Sequence, residues 1–338
     1  MKNALDVSVL VTAYNQNSTL EIVLKALQLQ DFKGSWEIIV CDDGSEQDTL
    51  KAVKRAMVTN GPSMQYVWQS RLGERRARSR NNALRCARGR IVILVDGDIV
   101  VKRDFISAHV ALHTGGHTAV CGCRYWLFLD DFPEGFSNDL ANDPVILDAV
   151  DPSSFYSEAE AQEYYSKTPQ PWAACWGCNF SFLRDGEMVL FDEEFVGWGA
   201  EDQEFACRPH DRFHYDMKFV PSIYGFHLEP GSRSAYTRVR PRSQTEFANY
   251  FRNLFYFCSL YPALDMVPAC IGVGLLELDP ENDVWRPASQ PRFGRRHILS
   301  TLSTAREWLA RFGAGSNGCI ADKGMNNSPN ELQTTQCF

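Results

Sequence analysis

Arg90-Ile-Val-Ile-Leu-Val-Asp-Gly-Asp-Ile-Val100 is the stretch whose reading decides the fold. Ile91 to Val95 is an unbroken apolar run in which four of the five residues are β-branched. Such a run predicts a strand buried on both faces of a parallel sheet. It stops at Asp96-Gly97-Asp98. Carboxylates at the carboxyl end of a buried parallel strand stand where open α/β sheets bind ligands. Burying them unpaired would be costly. A divalent cation bridging to a phosphate accounts for both. A plain strand-end turn also accounts for Asp and Gly, which are turn residues. The motif alone does not decide between the two, so the flanking sequence must.

Towards the N-terminus, Val7 to Thr12 reads as a strand followed by Ala13-Tyr14-Asn15. Ser18 and Glu21 have the spacing of a capping box, and Leu20, Val23, Leu24 and Leu27 follow at helical spacing. Phe32-Lys33-Gly34 breaks that helix. Trp36 to Cys41 is a second strand, ending in Asp42-Asp43-Gly44-Ser45. Asp48 can cap a helix running through Val53. Met64 to Trp68 is a third strand. Gly73 to Arg88 is helical in pattern and rich in arginine. Strand-helix alternation at this spacing predicts an α/β fold with a parallel, doubly wound sheet.

In that sheet Tyr14-Asn15, Asp42-Asp43 and Asp96-Asp98 share one edge. Together with the arginines they form a pocket for a ligand with a base, a sugar and phosphates. Most of the arginines read as a solvated helix face; Arg80-Asn81 is the exception. Neither Gly-x-Gly-x-x-Gly nor Gly-x-x-x-x-Gly-Lys-Ser/Thr is present. A metal is therefore the natural clamp for phosphate, and Mg²⁺ or Mn²⁺ takes a few carboxylates plus phosphate oxygens and waters.

The ordered set Val9-Leu10-Val11-Thr12-Ala13-Tyr14-Asn15, Val40-Cys41-Asp42-Asp43-Gly44-Ser45, Ser79-Arg80-Asn81 and Val95-Asp96-Gly97-Asp98 resembles the nucleotide-sugar domain of family 2 glycosyltransferases. The resemblance covers residues 7 to about 105. It implies the GT-A fold, a Rossmann-like, mostly parallel sheet flanked by helices. It also implies base contacts at Ala13 and Tyr14, a uracil-edge contact at Asp43, and Arg80 near base and diphosphate. Asp96 falls at the ribose and Asp98 on the metal. One departure is Ser79-Arg80-Asn81-Asn82-Ala83, where the family usually has Ala-Arg-Asn-x-Gly.

Residues 131 to 170 read as a loop-rich, acidic excursion, either acceptor-facing or merely solvated. The signal returns at Trp176-Gly177-Cys178-Asn179 and at Gly197-Trp198-Gly199-Ala200-Glu201-Asp202. The latter resembles the acceptor-side motif of β-1,4-galactosyltransferase-like and chondroitin-polymerase-like enzymes. By position in that motif Asp202 is the general base, Glu201 an acceptor or donor-sugar contact, and Trp198 a platform for a sugar face. Inverting transfer needs a base to take the proton of the attacking nucleophile. A helix N-terminus with acidic residues and a core Trp is the plainer alternative. The resemblance also points to a His after the acceptor helix as second metal ligand, here His227, just past a strand predicted over Lys218 to Pro221. His210 and His214 compete for that role. Arg233 and the arginines from Arg238 to Arg242 are placed to close over the diphosphate. Cys175-x-x-Cys178 lacks a second pair at metal-ligand spacing and reads as small buried residues.

The net charge of −8 excludes a nucleic-acid footprint. The N-terminus shows no apolar signal-peptide core and no stretch has the length of a membrane span. The eleven cysteines are scattered and odd in number. Together these predict a reduced, cytoplasmic protein, with peripheral membrane contact open. The expected organisation is a nucleotide-sugar-binding half over 1–120, an acceptor-binding and catalytic half over 121–240, a helical extension over 241–312 and a disordered tail over 313–338. Within the extension Thr245 to Leu260 reads as an amphipathic, aromatic helix docked on the body, whose stickiness would also suit a membrane surface or an oligomer contact.

The whole predicts an inverting, metal-dependent transferase. Its donor is a nucleotide sugar, with uridine as the implied base, and its acceptor a glycan, lipid-linked sugar, small molecule or peptide. A retaining transferase of the polypeptide N-acetylgalactosaminyl type, an inactive sugar-nucleotide-binding module and a nucleotidyltransferase are the rivals.

Overall fold

In the computed structural model, which describes residues 4–184, 190–235, 242–315 and 333–337, strand and helix alternate from the start. β1 (Leu5–Ala13), α1 (Asn17–Gln28), β2 (Trp36–Asp42), α2 (Gln47–Ala56), β3 (Ser63–Gln69), α3 (Arg76–Cys86) and β4 (Gly89–Asp96) follow one another. β1 lies between β2 and β4 and is parallel to both, and β2 is parallel to β3. Ile91 to Val95 are at most 1% exposed, as a strand covered on both faces requires. The register sets Thr12 beside Asp96 and Ala13 beside Asp42, so the polar strand ends are level.

β5 (Ile99–Val101), α4 (Phe105–Val110), β6 (Thr118–Phe128), α5 (Phe136–Asn142), β7 (Tyr156–Ser157), α6 (Ala159–Ser166), β8 (Asn179–Leu183), α7 (Glu201–Phe213) and β9 (Asp216–Glu229) continue the chain. With β12 (introduced below) the strand order among the described residues is β12-β3-β2-β1-β4-β8-β6-β9-β5, with β7 beside β6. Past β4 the parallel pattern changes. β8 is inserted antiparallel between β4 and β6, β6 and β9 are parallel, and β5 is antiparallel to β9.

Several local expectations are corrected. α1 starts at Asn17, so Ser18 is inside the helix rather than capping it. Glu21 pairs with Lys25 and Arg55 instead of reaching back. α2 starts at Gln47, and Asp48 pairs with Lys51 in place of capping. The 131–170 excursion is largely helical. Its 3₁₀ turns at Pro144–Ala149 and Pro152–Ser154 open on proline and are capped by Asp143 and Asp151. Such turns are too short to show a period.

A buried polar chain runs beneath β8. Asn179 Nδ2 donates to the carbonyls of Cys123 and Ile223 (2.9 and 3.0 Å). Its Oδ1 must then accept from His109 Nε2, 2.9 Å away. His109 Nδ1 is left to accept from Ser181 Oγ (2.9 Å), and that hydroxyl accepts from His113 Nε2 (2.8 Å). Every proton in the chain is thereby assigned. Asn179 fills the irregularity between Cys121 and Cys123 in the β6–β9 pairing.

The chain divides into two units. The first comprises residues 1–193, 202–234 and 332–338; the second comprises 194–201 and 235–331. In the second unit α8 (Gln244–Leu260) opens on a complete capping box, Ser243 with Glu246. The hairpin of β10 (Leu276–Asp279) and β11 (Val284–Pro287) and the helix α9 (Arg295–Gly315) follow. The hairpin corrects the reading of this extension as purely helical. Phe251, Trp285 and Trp308 form its aromatic core, with Phe251 and Trp285 ring centres 4.6 Å apart. Phe247, Tyr250, Phe251, Leu254 and Phe257 of α8 are buried. The aromatic face read as a membrane or oligomer surface is thus spent on this unit's own core.

The tail is also corrected in part. Residues 333–337 form β12 (Gln333–Cys337), an antiparallel edge strand on β3, and residues 313–315 end α9. Residues 316–332 lie outside the described residues. No helix among the described residues is long and apolar enough to cross a membrane.

Candidate active site

At the β2 end, Asp42 and Asp43 take separate work. Asp42 accepts from Tyr66 Oη (2.6 Å) and Ser45 N (2.7 Å), which fixes the turn. Asp43 accepts from Gln69 Nε2 (2.7 Å), Arg71 Nη1 (2.6 Å) and Arg75 N (2.7 Å). Burial pushes the Asp43 carboxyl up, and these donors only partly offset it. Arg71 stacks on Tyr14, its guanidinium 3.7 Å from the ring centre. Tyr14 is exposed, whereas Ala13 is buried and passes its carbonyl to Asp43 N. Asn15, at φ 51°, accepts from Glu46 N and donates its own N–H to Ser45 Oγ, which staples the loop after β1 to the loop after β2.

Asp96 accepts from Thr12 Oγ1 (2.6 Å) and from Arg80 Nη2 (3.3 Å). Arg80 is 1% exposed. A Cβ on Gly177 would fall 2.9 Å from Arg80 Nη2, so only glycine can lie this close over the guanidinium. Arg80 is therefore covered by the turn and hydrogen-bonded to Asp96. The arginine-rich segment is corrected too: Arg75 and Arg80 are buried, Arg76, Arg78 and Arg88 are half-buried, and Arg85 is exposed.

Gly97 passes so close to β1 that a Cβ would fall 2.6 Å from the Thr12 carbonyl. The chain then leaves β4 and enters β5. The β5–β9 register places Ile99 beside His227, and Leu228 N donates to the Asp98 carbonyl. His227 is thus inside β9, not beyond a strand ending at Pro221. Its Nε2 is 3.4 Å from Asp98 Oδ2, and Gln16 Nε2 donates to that oxygen at 2.8 Å. Burial opposes ionisation of Asp98, and the His227 ring, Arg124 and Gln16 outweigh it and hold the carboxyl below its usual range. His227 packs on Trp126 (4.1 Å between ring centres) with Nδ1 3.7 Å from Glu229 Oε2.

This donor set suits a divalent cation. Two ligands at about 2.1 Å and at right angles on one metal stand about 3 Å apart. Among the described residues no group of three or more His, Cys, Asp or Glu side chains gathers around one point. That matches the habit of Mg²⁺ and Mn²⁺, which draw their remaining ligands from phosphate and water. His210 and His214, on α7 and just after it, are half-exposed and exposed and are not paired with Asp98.

The turn Trp176-Gly177-Cys178, where the sequence signal returns, anchors Asp202. Gly177 N donates to Asp202 Oδ2 (3.0 Å), and Gln203 N donates to Asp202 Oδ1 (2.8 Å). Asp202 is therefore fixed at the start of α7. Trp176 lies under Arg124, 5.4 Å from its guanidinium, and Trp126 lies at 4.8 Å. Glu158 accepts from Trp126 Nε1 (2.9 and 3.0 Å) and stands 3.6 Å from Arg124 Nη2. Burial drives the Cys178 thiol up; Arg124 opposes this, and Asp96 and Asp202 add to it. Cys175 and Cys178 are free, buried thiols, as their reading as packing residues implies.

Trp198 and Glu201 belong to the second unit. The chain approaches α7 through Gly197, Gly199 and Ala200, all at positive φ, the alanine at 73°. Asn253 Nδ2 holds this turn through the carbonyls of Val196, Trp198 and Gly199. Trp198 stacks on Tyr250 (4.5 Å), and the Arg242 guanidinium lies 4.0 Å from its ring centre. The indole expected as an open sugar platform is thus already engaged. Glu201 is buried. Arg238 and Arg240 lie outside the described residues.

The family model for glycosyl transferase family 2 matches residues 8–186, more than half of the chain. The chain belongs to glycosyl transferase family 2. Relatives in sequence include a validoxylamine A glucosyltransferase of Streptomyces hygroscopicus subsp. limoneus, 30% identical over 60% of this chain and 47% of its own length. A hyaluronan synthase of Pasteurella multocida is 27% identical over 66% of this chain and 24% of its own. The chain thus spans about half the length of the first of these relatives and a quarter of the second. Among solved structures, a mannosyltransferase from Pyrobaculum calidifontis in complex with GDP-Man and Mn²⁺ covers 93% of this chain, with 76% of its own length matched. It has a TM-score of 0.50 at 18% identity and shows the fold, which is GT-A.

Proposed function

We propose that the chain is an inverting, metal-dependent glycosyltransferase using a nucleotide sugar, with uridine diphosphate as the carrier. The observation that carries this reading is the pairing of Asp98 with His227, 3.4 Å apart, beside an Asp202 carboxylate fixed by two backbone N–H groups. The Pyrobaculum mannosyltransferase, which was solved in complex with GDP-Man and Mn²⁺, is in keeping with a nucleotide sugar and a divalent metal. Bound Mn²⁺ or Mg²⁺ would supply charge stabilisation for the departing diphosphate.

The chain's own residues do the remainder. Tyr14, Asp43 and the Ala13 backbone receive the base, and Asp96, steadied by Thr12 and Arg80, receives the ribose. Asp202 takes the proton of the acceptor hydroxyl while the new bond forms from that oxygen to the anomeric carbon. The bond from that carbon to the diphosphate oxygen breaks, and the diphosphate leaves with the electron pair. The Gly177 and Gln203 N–H groups hold the carboxylate in place at the start of α7 as it accepts the proton. Glu201 and Trp198 keep the acceptor-side roles their motif implies, with Arg242 yielding the indole face to a sugar. Holding donor and acceptor in line supplies much of the rate.

Proton NMR of the product tests the reading. The new linkage should have the anomeric configuration opposite to that of the donor, and Asp202→Asn should lose transfer while still binding the donor. Retention of configuration would contradict it.

A further inference from the structure

We propose that Arg124 reads the hydroxyl groups of the transferred sugar and that this sugar is neutral, an assignment that rests on the reading of the site as a nucleotide-sugar transferase. Arg124 is on β6, two residues before Trp126, and Trp126 is in register with His227. The two side chains share a face of the strand, so Arg124 stands about 6.6 Å along it from the His227 level, the length of one sugar ring.

On the other side, Arg124 touches Trp176, whose neighbour Gly177 holds Asp202. Arg124 therefore lies between the donor-side carboxylates and the proposed base, where the sugar passes.

Its donors are engaged only at long range. Nη2 pairs with Glu158 Oε1 at 3.6 Å and Nη1 donates to the soft acceptor Cys178 Sγ at 3.9 Å. Arg124 Nε is buried with no partner among the described residues. The guanidinium is located by two indole faces rather than by hydrogen bonds. A planar fork fixed by stacking, with its N–H groups still to be satisfied, is built to bind oxygens that arrive with a ligand. Glu158, Asp96 and Asp98 already surround it with negative charge. A further carboxylate, as on a uronic acid, would meet that charge. Neutral hydroxyls do not.

The test uses the full chain with UDP, UDP-glucose, UDP-galactose, UDP-N-acetylglucosamine and UDP-glucuronic acid as probes. Calorimetric binding and the kcat/KM for UDP release are measured for the parent, Arg124→Lys and Glu158→Gln. Lysine keeps the charge and loses the fork, so UDP affinity should stay within about threefold while the preference for the best sugar over its epimer shrinks about tenfold or more. Glu158→Gln keeps an acceptor for Trp126 and loosens Arg124. It should shrink the preference in the same direction, and it carries the test if the lysine variant does not fold. A uniform loss over all donors and UDP would overturn the proposal, as would an unchanged preference in both variants or UDP-glucuronic acid as the best donor. Failure of the underlying reading looks different: the parent protein itself would bind no nucleotide sugar.

Discussion

Asp202 is the residue on which the proposed chemistry converges, and Gly177 is the residue that holds it. Asp202→Asn keeps the shape and the backbone bonds but removes the base. Turnover should fall about 10²–10⁴-fold with donor KM little changed, measured by steady-state UDP release with acceptor present. Gly177→Ala would press a methyl group onto the Arg80 guanidinium, where a Cβ would be 2.9 Å from Nη2. The turn must then shift and take the Gly177 N–H away from Asp202. Activity should fall about tenfold or more while a thermal melt moves only a few degrees. A melt collapsing without a kinetic effect on the surviving folded fraction would show that Gly177 serves packing alone. At this scale the sequence was legible wherever a residue type is rare in its setting. Asp98, Asp43 and Asp202 stand at strand or helix ends where a carboxylate needs a reason. Arg124 was not legible, because an arginine between two aromatics has no period and no fixed spacing in the chain.

Among the elements, β8 carries the clearest consequence for stability. His109 and His113 lie beneath it, both buried, in a hydrogen-bond chain whose proton order requires the His109 ring to be neutral, while burial opposes charge on both. Burial lowers His109 to about 3 and His113 to about 4. The unfolded chain therefore binds protons near pH 6.5 that the folded chain refuses. The stability this provides is complete above pH 6.5 and drains as the pH falls towards 4, at up to about 1.4 kcal/mol per pH unit for each ring. Urea midpoints between pH 7.5 and 5 should show this slope, and His113→Gln, which keeps a donor towards Ser181, should remove about half of it. A flat profile in the parent protein would contradict the assignment.

The elements of the first hundred residues were legible because β1, β2 and β4 are apolar runs closed by turn residues. The β10–β11 hairpin was not, although Asp279 at its turn accepts from Glu281 N and Asn282 N. Its strands are four residues each, too short for the alternation of Leu276, Leu278, Val284 and Trp285 to stand out as a period. The helix α8 was located correctly and read as docked, but its aromatic face also left a membrane or oligomer contact open, because a sequence shows which face is aromatic and not what covers it. Trp308 closes that cover, and Trp308→Ala should cost the second unit about 3–5 kcal/mol in denaturant unfolding.

For the molecule as a whole, the sequence pattern led to the GT-A sheet through its parallel half and was silent on the other. The antiparallel insertion of β8 and the β5–β9 pairing join segments far apart in the chain, and no local propensity encodes such a register. Yet that register is what sets His227 against Asp98. The resemblance pointed to His227; the pairing supplies the physical reason.

The central claim is that this pair holds a cation on the donor diphosphate. The direct measurement is UDP release from a panel of UDP-sugars by the metal-stripped protein, titrated with Mn²⁺, alongside Asp98→Ala. The account predicts that EDTA abolishes release, that Mn²⁺ restores it in the parent protein, and that the variant fails to recover. Undiminished release in EDTA, or an Asp98→Ala protein that responds to Mn²⁺ as the parent does, would contradict it.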